Sequence, residues 1–219
     1  MLLILPFRPE DVPVYRHITA LGGDGGHDLL LVGGRTHKSI MEDSIDEFGR
    51  VFEHIDLFTL DGSPSRNKLF SETVKWLDVA GNQSAFYWFE NSVPVKASWL
   101  DDIEMEYRIK RTPFLGAVEP SIEVDPATGK EIEENPRLIA SSIYPADLYQ
   151  RSILVRQLCF RNAPLWNVQM RFEIRRNATV SAHIQMIGEP ILPATCVITG
   201  TNDPTILEPR KKEKDHARK

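Results

Sequence analysis

Residues 86–107 read FYWFENSVPVKASWLDDIEMEY, and the architecture turns on this stretch. The aromatic run Ala85–Phe89 (AFYWF) predicts a strand that ends at Glu90. The spacing of Trp99, Ile103, Glu106 and Tyr107 predicts a helix over Ser98–Ile109. In open α/β sheets ligands bind beyond the carboxyl ends of strands. A carboxylate at Glu90 therefore either holds a divalent cation that bridges ligand phosphates, or merely ends a strand and faces water.

Upstream, the same alternation repeats. Apolar runs at Leu2–Leu5, His27–Val32 and Asp56–Leu60 read as strands, and Asp11–Leu21, Ser39–Val51 and Lys68–Val79 as helices. This predicts an α/β domain with a mostly parallel central sheet and helices on both faces. The glycine-rich stretch Gly22–Gly26 precedes a strand, so it reads as a turn and not as a dinucleotide fingerprint. Downstream, Phe114–Val118 and Leu138–Tyr144 read as strands, Asp147–Leu158 as a helix, and 119–136 as an exposed loop rich in Pro, Gly, Asp and Glu. Residues 167–172 and 180–186 suit helix or strand, and the chain reads as irregular from Pro190. A single domain over 1–209 is expected, followed by a disordered basic tail, RKKEKDHARK, over 210–219.

Composition narrows the function. With 26 basic against 31 acidic residues the net charge is −5, which excludes a uniformly basic nucleic-acid coat but not a local basic patch. The two cysteines, Cys159 and Cys196, cannot build a disulfide framework or a zinc knuckle. The opening MLLILPF lacks a basic leader region and reads as a first strand, and no apolar run is long enough to span a membrane. A cytoplasmic protein without membrane association is expected. There is no GxxxxGK[ST], GxSxG or HExxH.

Several segments, in order, resemble small phage and bacterial glycosyltransferases of the GT-A fold. They are the strand Phe86–Phe89, the acidic motif at Glu90-Asn91-Ser92, Val93-Pro94, Trp99-Leu100, Glu106-Tyr107, Phe114-Leu115-Gly116 and Tyr144-Pro145-Ala146-Asp147. Upstream, His27–Val32 and Pro64–Phe70 match as well, so the resemblance spans about residues 2–187. It implies a GT-A-like fold and transfer of a sugar from a nucleotide-sugar, UDP-linked, to an acceptor hydroxyl. Some relatives decorate hydroxymethylated pyrimidines in phage DNA, so it implies such a base as acceptor, DNA as partner and the host cytoplasm as location. Arg171, Arg175, Arg176 and Lys110-Arg111, with the tail, supply a candidate basic strip for DNA phosphates.

The resemblance also implies a site. Arg8 would contact the ribose or diphosphate, or is a solvated loop arginine; Asn67 would bind the nucleotide-sugar, or caps a helix. Glu90 would hold Mn²⁺ or Mg²⁺, with His183 as a second ligand, and Ser92 would bind a phosphate oxygen or water. Asp147 is the candidate general base, or a helix cap, and Glu173 is the second candidate base. Three positions depart from the family pattern: Ser92 and Met186 stand where metal ligands are expected, and Trp166-Asn167-Val168 replaces a Phe-Asp-Val-like motif. Three readings follow: a weakened cation site at Glu90, neutralisation of the leaving diphosphate by Arg or Lys, or a non-catalytic GT-A-like protein that binds DNA or a partner. A nucleotidyltransferase is a further, weaker reading.

Overall fold

A computed structural model describes residues 1–22, 26–81, 84–124, 127–151, 153–160, 177–201 and 203–207. Glu173, Asn167, the arginines at 171, 175 and 176 and the tail over 210–219 lie outside these residues.

The first half alternates as expected: β1 (Leu2–Pro6), α1 (Val12–Leu21), β2 (Asp28–Gly34), α2 (Lys38–Phe48), β3 (His54–Leu60), α3 (Arg66–Ala80), β4 (Ala85–Trp88), a short β5 (Ser92–Pro94) and α4 (Trp99–Lys110). Then come β6 (Phe114–Val124), β7 (Glu131–Pro145), α5 (Leu148–Arg151), α6 (Ile153–Phe160), β8 (Ala178–Val180), β9 (Ile184–Met186) and β10 (Val197–Thr199). The main sheet has seven strands in the order β3-β2-β1-β4-β7-β6-β8. β1 pairs in parallel with β2 and β4, β2 with β3, and β6 with β8; β7 runs antiparallel to both its neighbours. The chain is an α/β protein with a mostly parallel sheet, in agreement with the GT-A-like expectation.

Strand residues alternate between two cores, as a period of two requires. Leu3, Leu5, Leu29, Leu31, Tyr87 and Phe89 face α1, α2 and α4, meeting Tyr15, Ile18, Met41, Phe48, Trp99 and Ile103. Leu2, Ile4, Leu30, Val32, Phe86 and Trp88 face α3, α5 and α6, meeting Phe70, Val74, Leu77, Leu148 and Val155. Helices therefore cover both faces, which is why these strands read as continuous apolar runs. Each fully buried side chain of this size contributes about 2 kcal/mol relative to exposure.

The stretch 119–136, expected as a loop, is for the most part paired backbone. β6 and β7 extend into a two-stranded arm in which Ser121 faces Glu134 and Val124 faces Glu131, with register shifts after Gly116 and Glu119. Its Glu-rich, Pro-containing composition carries no strand signal, whereas backbone pairing is open to any residue except proline. The helix expected over 147–158 is helical throughout its described residues, Leu148–Arg151 (α5) and Ile153–Phe160 (α6). The irregular region after Pro190 contains β10, which forms a small second sheet, β5-β10-β9. In that sheet Ser92 pairs with Thr199 and Ile184 with Val197.

Candidate functional site

The strand order places a topological switch point between β1 and β4. The chain moves outward through β2 and β3 on one side of β1, then returns through α3 to β4 on the other. Crevices at such points are where ligands bind in open α/β sheets. Here the crevice is bounded by Phe7–Asp11 after β1, by the start of α3, and by Phe89–Ser92 after β4.

After β1, the Tyr15 hydroxyl donates to the Pro6 carbonyl at 2.9 Å and accepts from the Arg8 backbone N–H at 3.3 Å. Burial, then the nearby Asp11 carboxylate, push the Tyr15 phenol well above its ordinary range, so it stays a neutral clamp. The clamp presents Arg8 at the crevice, where its guanidinium meets Glu10 at 3.5 Å.

After β4, Glu90 is 94% buried. The Trp88 indole N–H donates to Oε2 at 2.9 Å, and the Glu90 backbone N–H donates to Ser141 Oγ at 3.2 Å. Arg66, the first residue of α3, places Nε 2.6 Å from Glu90 Oε1 and donates from Nη1 to Asn91 Oδ1 at 2.8 Å. The Nε contact is an ion pair without hydrogen-bond alignment, so Oε1 is a buried acceptor lacking a directed donor. Asn91 adopts φ 47°, a left-handed conformation uncommon outside glycine. Its carbonyl accepts from the N–H groups of Gly200 and Thr201 at 2.7 and 3.0 Å, so the second sheet holds the strained turn in place.

Two spaces open here. The one against Glu90, bounded by Pro6, Asp11, Tyr15, Asn91 and Ser92, holds only about 10 Å³. Beside it a cavity of about 190 Å³ is lined by Phe7, Arg8, Glu10, Gly34, His37 and Pro64, among others. Gly34 is required at its wall, because a Cβ there would overlap the Gly62 carbonyl oxygen and Pro64.

The expected residues divide. Arg8 and Glu90 stand at the crevice, and Asn67 lies in the first turn of α3. Asn67 is not the helix cap: Ser65 is, its Oγ accepting from the Lys68 N–H at 3.3 Å. Ser92 is buried in β5, and its hydroxyl donates to the Glu90 carbonyl at 2.9 Å, which turns it away from a phosphate role. Asp147 is not at this site. β7 runs antiparallel to β4 with Pro145 facing Ala85, so Asp147 sits at the opposite end of the strands from Glu90. There it precedes α5 and pairs with Arg151 at 2.9 Å. Lys110 is likewise committed, to Glu106 at 2.7 Å and the Val180 carbonyl at 2.6 Å.

The donor set at Glu90 does not fit a divalent cation. One carboxylate oxygen lies 2.6 Å from the Arg66 guanidinium and the other accepts from an indole N–H, so a cation would be set against the Arg66 positive charge and the Trp88 donor. His183 Nδ1 lies 2.6 Å from the Ala194 carbonyl oxygen and 3.3 Å from Cys196 Sγ. No group of three or more His, Cys, Asp and Glu is arranged to hold a metal among the described residues. The roles of Arg66, Asn91 and His37 were not read from the sequence. Arg66 stands next to Asn67 at the helix start, but its partners lie 24 and 25 residues away and leave no local pattern.

No protein-family model matches the chain, and no curated protein matches it. Among solved structures, it is similar to 4-diphosphocytidyl-2C-methyl-D-erythritol synthase from Anaerococcus prevotii, at 8% identity and TM-score 0.42, over 82% of this chain and 84% of that one. It is also similar to HddC from Yersinia pseudotuberculosis, at 13% identity and TM-score 0.42, over 82% of this chain and 89% of that one. No helix among the described residues is long and apolar enough to cross a membrane.

Proposed function

We propose that the chain is a transferase that binds a nucleoside-diphosphate-activated donor, a UDP-sugar or close analogue, at the crevice between β1 and β4, and neutralises the diphosphate with guanidinium groups and no divalent cation. One juxtaposition carries the reading: the cavity lined by Arg8 and His37 takes Ser63, Pro64 and Leu69 into its wall, the residues on either side of Arg66, whose guanidinium meets Glu90 and Asn91. A guanidinium matches phosphate oxygens with paired donors. The N-terminus of the 15-residue α3 adds oriented N–H groups on the same side. The cavity takes the diphosphate and one ring, and the rest of the donor lies across the open rim. The acceptor hydroxyl attacks the anomeric carbon and loses its proton to His37, the imidazole lining the cavity. The bond to the phosphate oxygen breaks, and the diphosphate leaves with the electron pair beside Arg8 and Arg66.

Thermal unfolding with UDP and UDP-glucose tests the donor site, since a ligand bound only by the native state raises the midpoint. The expected result is an upward shift that survives EDTA and falls in Arg8→Ala. A shift that needs Mn²⁺, or one unchanged in Arg8→Ala, overturns the reading.

A second reading, binding of nucleic-acid phosphates without chemistry, is favoured by one observation. A cavity of about 330 Å³ at the opposite end of the strands is lined by Arg108, Arg111 and Arg151 with Tyr107. DNA bound there lies away from the Arg8 crevice, so this reading competes with sugar transfer to DNA. Salt-dependent retention of the chain on duplex DNA, lost in Arg111→Ala/Arg151→Ala, is its test.

A further inference from the structure

A cavity of about 520 Å³ belongs to neither surface above. It lies at the amino ends of β1, β2 and β3, on the α3 face, and takes part of its wall from the last turns of α3. Its volume is in the range of small-molecule sites. The floor is apolar and rigid: Leu2, Leu30 and Leu77 are each at least 93% buried. The rim is acidic. Asp28, Glu53 and Asp56 border it, and among the described residues no lysine or arginine does. His54 is also at the rim, with Nδ1 2.9 Å from Asp28 Oδ1. Glu53 and Asp56 make no ion pair among the described residues.

Two further features have the same sign. Trp76, 37% exposed, stands at the wall and is braced by Phe58 at a ring-centroid distance of 5.6 Å. An indole face attracts cations through its quadrupole. Ala80 ends α3 and is capped by Gly81 in the left-handed conformation, so the negative end of the helix dipole points towards the same space. Carboxylates, helix carbonyls and an aromatic face thus surround an apolar floor.

We infer that this cavity is a binding site for a small organic cation, an ammonium or guanidinium group carried on a hydrocarbon or aromatic body. The body covers Leu2, Leu30 and Leu77, and the charged head lies between Trp76 and the carboxylates of Glu53 and Asp56. An anion of the same size is rejected by three carboxylates, so the site selects by charge as well as by shape. The inference is independent of the transferase reading, whose crevice is at the other end of the strands.

The test is a titration of the isotope-labelled full chain with benzyltrimethylammonium, followed by backbone amide resonances, with phenylacetate as the control of opposite charge. The expected result is saturable shifts at Asp28, His54–Asp56 and Trp76–Ala80, absent with phenylacetate and weakened by added salt. Glu53→Gln/Asp56→Asn and Trp76→Leu alter exposed side chains and keep the fold, and each is expected to weaken binding by about tenfold. Equal binding of phenylacetate, shifts confined to other regions, or an unchanged dissociation constant in both variants overturns the inference.

Discussion

Arg66 and Glu90 face each other across the crevice at 2.6 Å, one at the start of α3 and the other just past β4. The pair ties the helix that crosses one face of the sheet to the strand it leads into. It also occupies the position where the family resemblance implies a metal ion. One buried carboxylate thus has two uses open to it, and Arg66 decides between them.

Breaking that pair from one side is expected to be costly. Arg66→Met leaves Glu90 buried without its counter-charge, and a loss of about 2–3 kcal/mol is expected, below the range for fully buried pairs because Arg66 is partly exposed. Arg66→Met/Glu90→Gln is expected to recover at least half of it, since the amide still accepts from Trp88. Urea unfolding of the single and double variants checks this; additive losses would deny the coupling.

Asn91 gives a finer test of the same turn. Asn91→Ala keeps the left-handed backbone and deletes the Arg66 partner, so a loss of about 1–2 kcal/mol is expected. Asn91→Gly deletes the partner but relaxes the backbone and is expected to lose less. Reversal of that order in denaturant melts would show that the φ of 47° carries no strain.

Acid sensitivity should trace to Glu106. Burial alone would raise its carboxyl, but the Ala182 N–H, the Lys110 ammonium and the Ser181 hydroxyl outweigh it and hold the group below the usual carboxylate range. A depressed folded pKa contributes stability that is complete above the unfolded value, about 4.3. That stability is lost as pH falls through the folded value. Glu106→Gln is expected to be less stable by about 2 kcal/mol at pH 7 and to show a flatter decline below the unfolded carboxylate value. Urea midpoints across that range check both; an unchanged acid limb would clear Glu106.

The Cys196 thiol is fully buried, and burial pushes its pKa up to about 12, against the opposing pull of Lys96. The thiol form is a poor nucleophile. N-ethylmaleimide at neutral pH is expected to leave Cys196 unmodified in the native protein and to label it in concentrated guanidinium chloride. Peptide mapping by mass spectrometry reads this directly.

Gly34 links stability to the site. Gly34→Ala forces the Gly62–Pro64 segment away from the end of β2, because the new methyl overlaps the Gly62 carbonyl. A loss of about 1–3 kcal/mol is expected, together with a reduced midpoint shift by UDP. A normal nucleotide response would separate that cavity from the donor site.

The amino-acid sequence by itself determined the alternation of four strands and four helices in the first 110 residues, though not the short β5. Runs such as LLIL, DLLLV and AFYWF suit strands buried on both faces, and their spacing leaves room for one helix between each pair. It also placed Glu90 at the carboxyl end of a strand, because the apolar run AFYWF stops there, although burial continues through Glu90. Tertiary structure alone decided what Glu90 meets. Arg66 reaches it from 24 residues away, and Asp147, near in the family pattern, is carried to the far end of the sheet by the antiparallel direction of β7. Strand direction and long-range ion pairs depend on how the chain closes on itself, and no local periodicity encodes them. The β6–β7 arm eluded reading for the related reason that backbone hydrogen bonds hold it, and those are available to any residue except proline.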